Sequence, residues 1–147
     1  MSRDLKLLYK TVILKHSKTP FCYEKNETAS NQINAYNSLC GDRFDLYFDL
    51  ENGQIENLSF HGFGCAISKA STSVLVKKIK GSSIEEAKMI CQQFLKNTVE
   101  ESAIAIDDEE IDAFSGARAF PGRLKCATLA WEELDSFLNQ LNSKDEH

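Results

Sequence analysis

The chain has 147 residues, 42% of them hydrophobic and 27% charged, with a formal net charge of −5. That length suits one domain with its own core, and the composition excludes a disordered chain. The acidic balance, without any Lys/Arg run, excludes a typical nucleic-acid binder, and no apolar stretch reaches membrane-spanning length.

The opening MSRDLKLLYKTVILKHS mixes an acid with several bases and shows no small-residue cleavage site. It does not read as a secretory signal, and a cytoplasmic location is expected. Leu5, Leu8, Val12 and Lys15–His16 keep helical spacing, widened by Tyr9 and Ile13, and predict a first helix. Thr19–Pro20 stops it, because the residue before a proline is pushed out of the helical region. His16 is expected to close this helix, favourably placed at its negative end. Residues 21–41 read as polar and irregular, ending in YNSLCG.

Phe44, Leu46, Phe48 and Leu50 then alternate with Asp45, Tyr47 and Asp49, the pattern of a half-buried strand. Asn52–Gly53 is a hairpin turn signal, with a return strand over 55–61. A plain two-residue turn would put Leu58 and Phe60 on the wrong face, so a bulge or a longer turn is expected. Residues 65–80 predict a helix whose first half is rich in small residues, ended by Gly81. Ser82 or Ser83 caps the next, with Glu85 and Glu86 in its first turn and a stripe of Ile84, Ala87, Ile90–Cys91 and Phe94–Leu95. Residues 99–119 are acidic and less regular, and Asp107 to Glu110 read as a solvated face. After Phe120–Pro121–Gly122, the spacing of Ala127, Trp131, Leu134, Leu138 and Leu141 predicts a last amphipathic helix, with Trp131 in the core.

The five cysteines, Cys22, Cys40, Cys65, Cys91 and Cys126, are an odd count without a secretory context. They point away from a disulfide framework and toward metal ligation or thiol chemistry. Cys91, on an apolar stripe, reads as a buried hydrophobe, and Cys22 as an incidental loop thiol. Cys65 and Cys126 each precede or open a helix, where free N–H groups stabilise a thiolate, and Cys40 lies just before a strand. With Asp42 these three would make a tetrahedral set suitable for zinc, although the spacing matches no zinc-finger pattern. His61, four residues before Cys65, is a possible competitor but reads as a strand-end residue near solvent.

CGD at 40–42, GFGCAISKASTS at 62–73 and FPGRLKCATLAW at 120–131 together resemble the SufU-type branch of the IscU/NifU family. The opening LYKTVILKHSKTP resembles that family's first helix, and the similarity runs from about Leu5 to Leu138. Two departures are Ser38, where the family usually has proline, and FCYEKNE after Pro20, in place of an Arg-Asn-x-Gly pattern. The resemblance implies an α+β, SufE/NifU-like single domain over 1–147, with a small antiparallel sheet packed against several helices. It implies Cys40, Asp42, Cys65 and Cys126 as the metal-site residues. Lys125 stands where scaffold members carry histidine before the last cysteine, which, with the acidic segment, selects the SufU-type branch.

The function so implied is zinc-dependent sulfur acceptance. Persulfide sulfur comes from a cysteine desulfurase of SufS type and goes on to downstream iron–sulfur assembly proteins, so the chain is a sulfurtransferase only together with that enzyme. Three thiolates and a carboxylate exceed the charge of Zn²⁺, and Arg43, Arg123 and Lys125 are expected to offset the excess. Cys40, in its loop, is the expected sulfur acceptor. Two alternatives remain at this stage: a scaffold holding a transient iron–sulfur cluster on the same ligands, and a structural zinc module.

Overall fold

A computed structural model describes residues 5–37, 41–100 and 108–145. Strands β2 (Asp42–Glu51) and β3 (Gln54–Phe63) form the expected antiparallel hairpin. Asn52 and Gly53 both take positive φ, 54° and 76°, the turn whose twist matches that of paired strands. Beside the turn Asp49 pairs with Glu56, but further on Tyr47 pairs with Ser59, so β3 carries one extra residue. Asn57 absorbs it at φ 56°, and its side-chain amide donates to Asp49 Oδ2 at 3.0 Å. The expected bulge is present alongside a true two-residue turn. It returns Leu58 and Phe60 to the buried face of Phe44, Leu46 and Phe48.

The segment read as irregular contains a further strand, β1 (Asn31–Asn37), antiparallel to β2 in a sheet of order β1-β2-β3. Its inward positions are Ile33, Ala35 and Asn37, amid residues that strands usually disfavour. The open edge of β2 supplies the hydrogen bonds that its own propensity does not request.

Helices α2 (Ala66–Ile79) and α5 (Pro121–Asp145) pack on the apolar face of the sheet. Their far side is covered by α1 (Leu5–Lys18), α3 (Ile84–Val99), the short α4 (Glu109–Ala113) and a 3₁₀ turn (Phe114–Ala119). This is the expected α+β architecture. Ser83 and Glu86 form a reciprocal capping box at the start of α3. Trp131 is fully buried as expected, stacked on Phe94 with ring centroids 3.9 Å apart, its indole N–H donating to Ser71 Oγ at 2.9 Å. Cys91 is buried in the same core, where burial pushes its thiol pKa far up. Among the described residues no helix is long and apolar enough to cross a membrane.

Two expectations need correction on the α1–α4 side. Where described, the acidic segment is ordered: Ile111, Ala113, Phe114 and Ala117 are buried, and Asp108 caps α4 through the N–H groups of Glu110 and Ile111. Asp107 lies outside the described residues. Glu110 is no solvated charge; it bridges Lys77 at 2.8 Å, Lys78 at 2.9 Å and His16. His16 does more than end α1. It is 3% exposed and also hydrogen-bonded to Ser73 Oγ at 2.7 Å, which ties α1, α2 and α4 together.

Candidate metal centre

The hairpin delivers Asp42 to the start of β2, beneath the point where β3 ends and α2 begins. Cys65 occupies the N-cap of α2 with extended backbone, φ −69° and ψ 164°, as the sequence predicts. Its N–H donates to Asp42 Oδ1 at 2.9 Å, while its Sγ lies 3.8 Å from Oδ2. One carboxylate oxygen is therefore engaged by the backbone and the other turns toward sulfur. Cys126 joins from α5, and one ligand atom each from Asp42, Cys65 and Cys126 lie within 4.8 Å of one another. Asp42 and Cys126 are buried and Cys65 half-buried, so the cluster has one side within reach of solvent.

Close approach at Gly64 makes this possible. A Cβ there would stand 2.6 Å from Asp42 Oδ1, 2.8 Å from Ser68 Oγ and 2.9 Å from Phe44 Cε2. Ser68, buried on the first turn of α2, donates to the Cys65 carbonyl at 3.1 Å and sits 3.6 Å from its sulfur. The sequence reading missed both roles; the only local signal was a glycine directly before a thiol.

Cys126 requires a correction. The last helix starts at Pro121, whose missing N–H costs nothing in a first turn, so Cys126 lies in the second turn rather than at the helix opening. Its placement beside Cys65 comes from packing of α5 on α2, and the dipole has largely faded there. Of the expected compensating cations, Arg43 is exposed on β2 and Arg123 exposed on the first turn of α5. Lys125 is exposed as well, its ammonium 2.8 Å from Glu132 Oε1 further along the same helix.

Cys40 lies outside the described residues. His61 is not part of the cluster; its ring lies against Tyr23, centroids 4.8 Å apart. Cys22 is likewise separate, with the Lys80 ammonium 3.3 Å from its sulfur. Tyr9, read as part of an apolar stripe, is buried on α1 with its ring against Phe114 and Phe120. Burial raises its phenol pKa to about 12, helped by the charges of Cys65 and Cys126 and opposed by Arg123.

The model of the NifU-like N terminal domain matches residues 8–146. The chain belongs to this family. Within it, the chain is 37% identical over 136 residues to the zinc-dependent sulfurtransferase SufU of Bacillus subtilis, covering 90% of each. It is 34% identical to the iron–sulfur cluster assembly scaffold protein IscU of Streptococcus pyogenes, over 86% of this chain and 80% of that one. The crystal structure of FiSufU, of the SUF system of Fervidobacterium islandicum, superposes with a TM-score of 0.76 at 30% identity, covering 88% of this chain and 95% of that one. The matched residues take in the sheet and every described helix except the first three residues of α1.

Proposed function

We propose that the chain is a zinc-dependent sulfur acceptor, taking persulfide sulfur from a cysteine desulfurase of SufS type and passing it toward iron–sulfur cluster assembly. The observation that carries this is the convergence of Asp42, Cys65 and Cys126 from three separate parts of the chain. The donor set fits zinc: two sulfurs and one outward carboxylate oxygen within 4.8 Å need contract only to the roughly 3.8 Å expected between sulfurs of a tetrahedral site. Cys40 would be the fourth ligand. It stands two residues before Asp42 in the chain. The similarity to the Bacillus subtilis sulfurtransferase supports the same reading.

Zinc, when bound, keeps its sulfur ligands deprotonated at neutral pH and damps their nucleophilicity. Cys65 is held by the α2 cap and Cys126 by the body of α5, so both are suited to remain ligands. Cys40 is the sulfur that leaves. Its thiolate attacks the terminal sulfur of the donor persulfide; a new S–S bond forms on Cys40 as the donor's S–S bond breaks, and the donor cysteine departs as thiolate. No outside oxidant or reductant is needed, because the sulfane sulfur only changes its carrier. The exposed side of the cluster at Cys65 supplies the approach.

Cys40→Ala tests this directly. The variant should keep its fold, retain partial metal through the remaining three ligands, and lose all stimulation of desulfurase turnover. Mass spectrometry of the wild type after incubation with desulfurase and cysteine should find added sulfur on Cys40. Persulfide on Cys22 or Cys91 instead, or full stimulation by Cys40→Ala, would overturn the relay. The 34% identity to a scaffold protein favours a second reading, in which the same ligands hold a transient cluster. Anaerobic reconstitution separates the two: a stable sulfide-containing visible chromophore selects the scaffold.

A further inference from the structure

The three residues before Cys65 bring no buried side chain to the corner between β3 and α2. Gly62 and Gly64 carry none, and Phe63 is 68% exposed. Gly62 takes φ 150°, and a Cβ there would stand 2.1 Å from the Arg43 carbonyl oxygen, so no other residue fits. Glycines leave such a corner free to swing unless groups from elsewhere hold its backbone. Two such holds are present among the described residues. Asp42 takes the N–H of Cys65, and the hydroxyl of Tyr23 donates to the carbonyl of Gly62. Tyr23 also reaches the far side of the cysteine. The Lys69 ammonium lies 4.8 Å from its ring centroid, and the Lys69 N–H closes the first turn of α2 on the Cys65 carbonyl at 3.1 Å. The ring is itself seated, edge-on to Phe60 with centroids 5.1 Å apart and against His61. Its backbone runs beside β3: Phe60 donates to the Cys22 carbonyl at 3.1 Å, and Glu24 donates to the Phe60 carbonyl at 2.8 Å.

We propose that Tyr23 is a positioning residue of the metal centre, bracing the β3–α2 corner so that the Cys65 sulfur keeps its place. The inference rests on the metal-site reading above and deepens it, by naming what holds one ligand still while another departs. Ionised Asp42, Cys65 and Cys126 repel one another whenever the balancing ion is loosely held. The glycines at 62 and 64 would let the corner relieve that repulsion by hinging outward. The hydroxyl bond to Gly62 and the cation–π contact with Lys69 grip the chain three residues before the sulfur and four after it. The segment FCYEKNE, which departs from the family pattern after Pro20, thereby gains a part at the site without contributing a ligand.

Tyr23→Phe keeps the ring against Phe60, His61 and Lys69 and removes only the hydroxyl. In the metal-free variant, amide hydrogen exchange at Cys65 should quicken about fivefold, as expected for one hydrogen bond lost beside it. Zn²⁺ affinity, measured by chelator competition, should weaken about tenfold, in the range typical of groups that orient metal ligands. Ser83→Ala supplies the control, because it lowers stability from a helix cap outside the centre. Its Cys65 exchange and its zinc affinity should match the wild type. Wild-type exchange or wild-type zinc affinity in Tyr23→Phe overturns the proposal. So does an equal change in Ser83→Ala, which would mark a loss of general stability instead of a loss of position. A wild-type chain that binds no zinc overturns the metal-site reading, and this inference with it. Failure of Cys40 to accept sulfur, with both shifts present, would sink only the relay.

Discussion

At its N-terminal end α2 meets the sulfur of Cys126 and the carboxylate of Asp42 beside its own cap, Cys65. Toward its C-terminal end, Lys77 and Lys78 of the same helix meet Glu110, which also takes a hydrogen bond from His16. Both ends gather groups that carry negative charge when ionised, but they balance that charge differently. At the C-terminal end the cations are covalently part of the chain, so the arrangement is permanent and ties the 108–119 segment to α1 and α2. At the N-terminal end three donors of like charge converge, the pattern that a divalent ion balances and that can open when one ligand departs. The same helix thus carries a fixed ionic clasp and an exchangeable centre.

The largest break in this comparison comes from the exchangeable end. Cys65→Ala and Cys126→Ala should each abolish stoichiometric zinc, measured by metal analysis, and remove several kcal/mol of stability from the metal-loaded chain, since metal binding is coupled to folding. Cys22→Ala and Cys91→Ser should retain full zinc.

Breaking the clasp should do the reverse. Glu110→Gln takes the shared carboxylate from buried His16 and from the partly exposed Lys77 and Lys78, the latter still paired with Asp108, and should cost about 2 kcal/mol in denaturant unfolding without changing zinc stoichiometry. Acid sharpens the contrast. Burial pushes the Glu110 carboxyl up, but hydrogen bonds from Lys77, His16 and Lys78 outweigh it and hold the group well below the usual carboxylate range. A lowered folded-state pKa adds stability that is fully present above the unfolded value of about 4.3 and drains away as the pH falls below it. The wild type should therefore lose stability between about pH 5 and pH 3 more steeply than Glu110→Gln, as read from urea midpoints across that range.

Gly64→Ala tests the tightness of the exchangeable end. The new methyl displaces the Asp42 carboxylate and should cost about 2 kcal/mol while weakening zinc binding measurably. The smallest effect belongs to Ser83, which lies just past the end of α2 and belongs to neither cluster. Ser83→Ala removes the capping box of α3 and should cost about 1 kcal/mol, leaving the zinc content and the acid limb as in the wild type. A change in either would show that the two ends of α2 are coupled through the rest of the fold.

How far each of these features was legible in advance depends on how local its cause is. The β2–β3 hairpin, its turn at Asn52–Gly53 and its bulge follow from alternation and turn chemistry within twenty residues. The α3 cap, the buried stripe around Cys91 and the core position of Trp131 follow from helical spacing. The cap position of Cys65 follows from a break between strand and helix patterns. Within the site, the cysteine motifs and Asp42 were identifiable by resemblance, because those residues recur as short strings.

The sequence by itself therefore determined the elements whose periodicity and punctuation are written in adjacent residues. The tertiary structure decided what adjacent residues cannot encode. Strand β1 exists because β2 has an edge to fill, though Asn-rich NQINAYN has little preference of its own. Glu110 looked like one of four solvated acids until α1 and α2 brought His16, Lys77 and Lys78 to it. Tyr9 spelled only an apolar stripe, and its ring meets Phe114 and Phe120 only once α1 has packed against the segment before α5. Spacing alone left the ligand set open, since Asp42, Cys65 and Cys126 meet only once the hairpin, α2 and α5 have packed. Charges and hydrogen-bond donors act through a few ångströms of space, and folding alone decides which distant residues share that space.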